Sequence, residues 1–355
     1  MNKDIRLMKG NEALAEAALR AGMQAYFGYP ITPQSEILEY LAVHGSRRGA
    51  VILQAESELA AINMVYGAGG AGGRIMISSS SPGISLMQEG ISYMASAEIP
   101  YLIVNVQRGG PGLGTIQPSQ GDYFQATKGG GHGDYHLLVL APASVQEMAD
   151  LVFDGFKLAE KYRMGVMILA DGALGQMMEK ISLPPENSLP YPEKPWATTG
   201  KPATRERNIL TSLFIEPERM EQVNKKLQSK YQEAQKEVRF ETIQTADAEV
   251  VLVAFGLSAR ISQKALELGR AKGIRVGLIR PITLYPFPST LIAETAQNAD
   301  AFVVVEMNAG QMVEDVKLAV QGRRPVLFKG RMGGMIPSPE EVLEEVEKAM
   351  ELQEA

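Results

Sequence analysis

The strongest constraint in this sequence is an alternation of short apolar runs with segments of helical periodicity, repeated on either side of a proline-rich polar interval. In the first stretch "AYFGYP", "AVILQA", "RIMISSSS", "PYLIVNVQRGG", "HLLVLAPA" and "GVMILAD" read as strands. Between them "GNEALAEAALRAG", "TPQSEILEYLAVHG", "SELAAINMVYGA", "GISLMQEGISYMASAEI" and "SVQEMADLVFDGFKLAEKYR" read as helices. Apolar strands that alternate with helices of this length predict a largely parallel sheet covered on both faces. From residue 182 "LPPENSLPYPEKPWATTGKPATRERN" has the composition of a surface connector. "EPERMEQVNKKLQSKYQEAQKEVRF" then reads as a charged bracing helix with sparse apolar positions. From 245 four more strands alternate with four helices, from "AEVVLVAFG" to "SPEEVLEEVEKAME". The expectation is an α/β protein of two domains, each a mainly parallel sheet flanked by helices, with residues 1–181 and 245–355 as the domains and 182–244 as the linker.

Composition narrows the chemistry. A net charge of −6 gives a nucleic-acid partner no electrostatic support. No apolar run reaches the length of a membrane span, and "MNKDIRLMKGNEALAEAALRAG" lacks the apolar core of a signal peptide, so a cytoplasmic location is expected. There is no cysteine, which excludes disulfides, thiol nucleophiles and cysteine-held zinc or iron–sulfur clusters within this chain. Three scattered histidines suggest no histidine metal site, and no metal ligands are assigned.

"YGAGGAGGR" contains a literal G-x-G-x-x-G at Gly67, Gly69 and Gly72. A dinucleotide fingerprint requires a strand running into the glycines and a helix starting from them. Here a helix precedes and a strand follows, so the glycines are read as a helix terminus and close turn. No Walker A loop, G-x-S-x-G elbow or zinc spacing is present.

Ligands of a parallel sheet sit at the C-terminal ends of its strands, and three such ends carry polar side chains. In "GYPITPQSE", Tyr29 and Thr32 leave a strand; Thr32 either caps the next helix, with Pro33 in its first turn, or faces a ligand. In "LQAESELAA", Glu56 and Glu58 precede an almost wholly apolar helix, serving the helix dipole or acting as a proton-holding carboxylate. Arg108 follows the strand "YLIVNVQ" and heads a long glycine-rich loop that includes Lys128, His132, Asp134 and His136, a candidate anion site.

The blocks "GYPITPQSE", "ESELAAINMVYGAGGAGGR", "SSSSPGISLMQEGISYMASAEIP", "QRGGPGLGT" and "QGDYFQATKGGGHGDYH" closely resemble the α subunit of 2-oxoacid:ferredoxin oxidoreductases. The second unit is similar to the transketolase C-terminal-like domain of the same subunit. The resemblance implies oxidative decarboxylation of a 2-oxoacid to its acyl-CoA with thiamine diphosphate, electrons passing through iron–sulfur clusters to ferredoxin. The first unit would be the pyrimidine-binding domain of a thiamine enzyme. The family places a glutamate on the aminopyrimidine, promoting its imino tautomer; ahead of the paired alanines Ala60 and Ala61 this is Glu58, not Glu56. Thr32 would face cofactor and substrate beside Tyr29, and Arg108 would meet the substrate carboxylate.

The family's diphosphate and Mg²⁺ site needs a G-D-G followed further on by asparagine, and "ADGAL" at 170–174 does not supply it. The resemblance therefore implies a β subunit that carries the diphosphate, Mg²⁺ and a 4Fe–4S cluster, with γ and ferredoxin-like δ subunits completing the assembly, coenzyme A as co-substrate and this chain inert alone. The "GDYFQATKGGGHGDY" loop favours a 2-oxoisovalerate-type substrate over 2-oxoglutarate, for which Lys128 is the nearby candidate cation. Two other readings stand beside this one: a half-subunit of a non-redox transketolase-like or decarboxylating enzyme, and a non-catalytic scaffold.

Overall fold

The computed structural model describes residues 4–354. Strand β1 (Asp4–Lys9) leads directly into helix α1 (Gly10–Arg20). There follow β2 (Ala25–Gly28), α2 (Ser35–His44), β3 (Val51–Gln54), α3 (Glu58–Gly70), β4 (Ile75–Ser79), α4 (Ser81–Ser96) and β5 (Tyr101–Gln107). A short α5 (Tyr123–Thr127) interrupts the long loop before β6 (Leu138–Leu140), α6 (Val145–Tyr162), β7 (Gly165–Asp171), α7 (Gly172–Gln176) and β8 (Met178–Leu183). After the connector come α8 (Pro217–Ala234), β9 (Phe240–Ile243), β10 (Val250–Val253), α9 (Gly256–Ala271), β11 (Val276–Pro281) and β12 (Thr283–Tyr285). The chain ends with α10 (Ser289–Thr295), β13 (Ala301–Glu306), α11 (Met312–Val320), β14 (Val326–Gly330) and α12 (Pro339–Glu354).

The first sheet has the order β12-β6-β7-β5-β4-β2-β3, and the second β14-β13-β10-β11-β9. Both are parallel except for one edge strand each: β12 runs antiparallel to β6, and β9 antiparallel to β11. Every residue of β5 and β7 is buried, which is why these central strands read as unbroken apolar runs. Each aliphatic side chain so buried contributes about 1.5–3 kcal/mol. Strand β12 comes from the second half of the chain yet forms an edge of the first sheet. β1 and β8 form a separate antiparallel ribbon.

Glu16 of α1 is fully buried and receives Arg20 Nε at 2.7 Å, Arg48 Nη1 at 2.8 Å and the Tyr40 hydroxyl at 3.0 Å. Burial alone would raise its pKa, but the hydrogen bonds from Arg48 and Arg20 hold it below the usual carboxylate range. The cluster ties α1 to α2 and the turn that follows it.

The glycine stretch behaves as its order in the sequence predicts. Helix α3 runs through Gly70, Gly72 turns at φ +94°, and β4 begins at Ile75. Gly69 lies against Ile99, where a Cβ would stand 2.6 Å from the Ile99 Cγ2. The connector runs over this turn: the Thr198 amide donates to the Gly70 carbonyl at 2.9 Å. Buried Arg74 pairs with Glu160 at 2.8 Å and donates to the carbonyls of Leu189 and Pro190. Helix α8 braces the fold as its sparse apolar positions predict, burying Leu227, Tyr231 and Ala234, while Lys230 meets Glu98 at 3.1 Å.

Candidate active site

The chain leaves β2 for β3 at one sheet edge and then returns to β4 on the other side of β2. Such a reversal opens a crevice at the C-terminal ends of the strands on either side of it. Residues 29–34 exit β2, Glu58 begins the helix after β3, serines 78–81 end β4 and open α4, and Arg108 follows β5. The candidate side chains therefore converge because four neighbouring strands end at the same level.

The β2 exit is held from beneath by Gln34, which is fully buried. Its Nε2 donates to the Tyr29 carbonyl at 3.2 Å and its Oε1 accepts from Ser78 Oγ at 2.6 Å, itself 2.7 Å from the Tyr26 hydroxyl. Thr32 does not cap the following helix. Helix α2 starts at Ser35 with Gln34 in the cap position, after a turn in which the Gln34 amide donates to the Ile31 carbonyl at 3.0 Å. A residue before proline is sterically biased away from helical geometry, which moves the helix start beyond Pro33. Thr32 and Tyr29 both stand exposed at the crevice.

The two glutamates separate cleanly. Glu56 is exposed, while Glu58 is only 5 % exposed. Ser57 caps α3 by accepting from the Ala60 amide at 3.2 Å, so the Glu58 carboxylate is not consumed in capping. Among the described residues its one hydrogen bond is long, from Ser79 Oγ to Oε1 at 3.4 Å. Gly83 makes the space: a Cβ there would lie 2.0 Å from Ser79 Oγ and 2.4 Å from Glu58 Oε1.

Arg108 is bound to the same crevice. Its Nη1 donates to the Thr32 carbonyl at 3.0 Å and its Nη2 to the Leu113 carbonyl at 2.9 Å, while Nε is buried without a partner. Its backbone amide donates to Ser81 Oγ at 3.1 Å. That hydroxyl donates to Asp122 Oδ2 at 2.6 Å, which also accepts from Asn105 Nδ2 at 2.8 Å. Burial holds the Asp122 carboxyl above its usual range despite these two hydrogen bonds.

The far half of the glycine-rich loop goes elsewhere. His132 and Asp134 are exposed, and His136 stacks on Tyr285 with ring centroids 4.2 Å apart, its pKa lowered by burial. Lys128 forms an ion pair with Asp315 of the second unit, which also accepts from the Tyr123 hydroxyl at 2.6 Å. Asp171 of "ADGAL" is buried and caps α7, accepting from the amides of Ala173 and Leu174 at 2.9 and 3.1 Å. Among the described residues no cluster of His, Cys, Asp and Glu could hold a metal ion. Ser57, Gln34, Ser79, Ser81, Gly83 and Asp122 were not singled out from the sequence; only Ser57, ahead of an apolar helical run, carried a local signal for its role.

The family model of the thiamine diphosphate-binding domain of pyruvate flavodoxin/ferredoxin oxidoreductase matches residues 16–244, and that of core domain II of pyruvate:ferredoxin oxidoreductase matches 248–342. The chain belongs to this oxidoreductase family. It is 51% identical to the ketoisovalerate oxidoreductase subunit VorB of Methanothermobacter thermautotrophicus over 96% of this chain and 97% of that protein. It is 38% identical to the 2-oxoglutarate synthase subunit KorA of Archaeoglobus fulgidus, over 88% of this chain and 91% of that one. The 2-oxoglutarate:ferredoxin oxidoreductase of Magnetococcus marinus, solved with 2-oxoglutarate, coenzyme A and succinyl-CoA bound, superposes with a TM-score of 0.86 at 27% identity. That match covers 98% of this chain and 66% of the other. A split-gene transketolase shares the fold, with a TM-score of 0.62 at 16% identity over 97% of this chain and 99% of that one. Like its relatives, this oxidoreductase chain is one subunit of an enzyme.

Proposed function

We propose that this chain supplies the pyrimidine half of a thiamine diphosphate site in a coenzyme A-acylating 2-oxoacid:ferredoxin oxidoreductase of the 2-oxoisovalerate type. The observation that carries the reading is the buried Glu58 carboxylate with a single long hydrogen bond, facing space that only a glycine at 83 leaves open. A buried carboxylate stays under-satisfied at high cost unless a ligand completes it. The ring nitrogen of an aminopyrimidine fits that site by sharing a proton with the carboxyl, accepting from it when the acid is protonated and donating when the ring is. Thiamine diphosphate, when bound, supplies the carbon nucleophile and electron sink for decarboxylation. Glu58 Oε1 would hold and return a proton at the pyrimidine edge. Thr32, and Tyr29 beside it, would line the cofactor side of the crevice. Arg108, locked to the Thr32 carbonyl, would offer its guanidinium to the carboxylate of the 2-oxoacid.

The substrate class has two supports. Identity to the ketoisovalerate relative is 51%, against 38% to the 2-oxoglutarate relative. Lys128, the nearby candidate for a second substrate carboxylate, is neutralised by Asp315. Residues 1–181, 182–244 and 245–355 serve in this reading as the pyrimidine domain, the linker and the transketolase C-terminal-like domain.

With zero cysteines, and among the described residues no cluster that could hold a metal ion, the reading assigns Mg²⁺, the diphosphate contacts and a 4Fe–4S cluster to a β subunit, with γ and δ subunits and ferredoxin beyond it, in the cytoplasm. Beside the crevice the sheet ends in β3, an unpaired edge exposing Val51 and Leu53, with Leu59 and Leu86 exposed nearby. An apolar open edge of this kind suits coverage by a partner. Among the described residues no helix is long and apolar enough to cross a membrane.

The test assembles the chain with its cysteine-bearing partner and follows coenzyme A-dependent viologen reduction with 2-oxoisovalerate, 2-oxoglutarate and pyruvate. Glu58→Gln is expected to lose about 100-fold or more in rate while still assembling. Unchanged activity in that variant would remove Glu58 from the chemistry, and a preference for 2-oxoglutarate would overturn the substrate assignment.

A further inference from the structure

The second sheet has its own switch point. The chain leaves β10 for β11 on one side and returns to β13 on the other. In an open parallel sheet the crevice above such a reversal is where a ligand binds. Here it is filled by a side chain of the first unit. Gln120, 1 % exposed, donates from Nε2 to the Phe255 carbonyl just past β10 at 2.8 Å. Its Oε1 accepts from Ser258 Oγ at 2.7 Å and from the Met307 amide just past β13 at 3.1 Å. Its own amide donates to the Met307 carbonyl at 3.0 Å, and its carbonyl accepts from Asn308 Nδ2 at 2.8 Å. Gly256 opens α9 at φ +55°, and a Cβ there would stand 3.0 Å from Gln120 Nε2. Donors and acceptors around the carboxamide are thus complementary on both of its atoms.

Gln120 lies between two contacts that reach Arg108. On one side Pro118 forms a β-bridge with Arg108, and the Gly109 amide donates to the Gln117 carbonyl at 3.0 Å. On the other, Asp122 holds the Ser81 hydroxyl that receives the Arg108 amide. We infer that Gln120 is an internal ligand of the second unit's crevice, and that by occupying it Gln120 positions the strap 108–122 and with it the Arg108 guanidinium. It is a positioning residue that acts through Arg108. The effect on substrate rests on the role proposed for Arg108, while the occupancy of the crevice does not.

The test uses Gln120→Ala in the assembled complex. The truncation removes the CH2–carboxamide, for which acetamide is the matching free molecule. Hydrogen exchange at the Gly109 and Thr115 amides, both hydrogen-bonded within the strap, is expected to speed up about 10-fold or more and to slow again with acetamide but not with acetate. The KM for the 2-oxoacid is expected to rise about 10-fold with kcat changed by less than about 3-fold, and acetamide to restore it. Wild-type exchange rates in the variant, or equal rescue by acetate, would overturn the internal-ligand claim. Faster exchange with an unchanged KM would overturn the positioning claim. If the wild-type complex turns over no 2-oxoacid, the proposed function fails and the exchange measurement still decides the occupancy. Should Gln120→Ala not fold, Ser258→Ala removes one donor to the carboxamide; it is expected to speed the same amides to a smaller extent, and no change there would count against the inference.

Discussion

Gly83→Ala offers a direct probe of the crevice, because its effect follows from one missing atom. The added Cβ would lie 2.0 Å from Ser79 Oγ and 2.4 Å from Glu58 Oε1, and Cβ atoms essentially never approach closer than 3.0 Å. The serine hydroxyl must therefore retreat by roughly 1 Å and the carboxylate by about 0.6 Å, against the roughly 1 Å misplacement that can cost about 100-fold in rate. In the first turn of α4 alanine is at least as favourable to the helix as glycine, so any loss of stability, about 1–3 kcal/mol for overpacking, reports the clash. Gly90→Ala on the same helix is the control. Its Cβ would meet Ile62 Cγ1 and Cγ2 at 2.7 Å, between the same two helices but away from the carboxylate. Both variants are to be assembled with the partner and compared for viologen reduction and for the apparent affinity of thiamine diphosphate. The expected result is a loss of about 100-fold for Gly83→Ala against less than about 3-fold for Gly90→Ala. Equal losses in the two variants would refute the reasoning, since helix overpacking alone would then explain them.

Two further predictions concern buried charge. Burial pushes the Asp171 carboxyl up to about 6 from 3.8 despite the hydrogen bonds it accepts at helix N-termini. The folded chain therefore keeps this proton to higher pH than the unfolded one, and stability declines by about 3 kcal/mol in all as pH rises through both values, from about 3 to about 7, and is flat above. Asp171→Asn removes that term, so its stability relative to wild type, measured by denaturant unfolding at pH 4 and 6.5, should improve by about 2 kcal/mol across the interval; parallel pH dependences would contradict the assignment. Glu16→Gln leaves Arg20 and Arg48 facing a neutral amide in a buried site. A loss of about 3–5 kcal/mol is expected, and a change under about 1 kcal/mol would show the arginines to be satisfied by other groups.

Periodicity exposed the two parallel sheets because their central strands, such as Tyr101–Gln107 and Gly165–Asp171, are apolar throughout, and their helices carry the usual spacing. The strands that escaped notice are edges. Asp4–Lys9 alternates, but its Ile5 and Leu7 point outward, and Thr283–Tyr285 is three residues long with its partner in the other unit. The family resemblance singled out Glu58, Thr32 and Arg108, and the fold draws them to neighbouring strand ends. The tie between Arg108 and Thr32 spans 76 residues, and no local pattern announces such a bond. Gln120 was invisible for the same reason, since its meaning lies wholly in Phe255, Ser258, Met307 and Asn308. Of the two roles the sequence leaves open for Thr32, capping fails because a threonine before proline has the right composition for a helix start but the wrong backbone preference.

The first sheet ends in the three-residue Thr283–Tyr285 at one edge and in Val51–Gln54, beside the crevice, at the other. Strand addition or apolar docking at the Val51–Gln54 end would take place beside Glu58. Under the proposed division of labour, a chain made in excess of its partner would carry an apolar open edge next to its incomplete chemistry. Balanced synthesis of the two subunits, or rapid removal of the orphan, becomes a requirement set by the order of strands in one sheet.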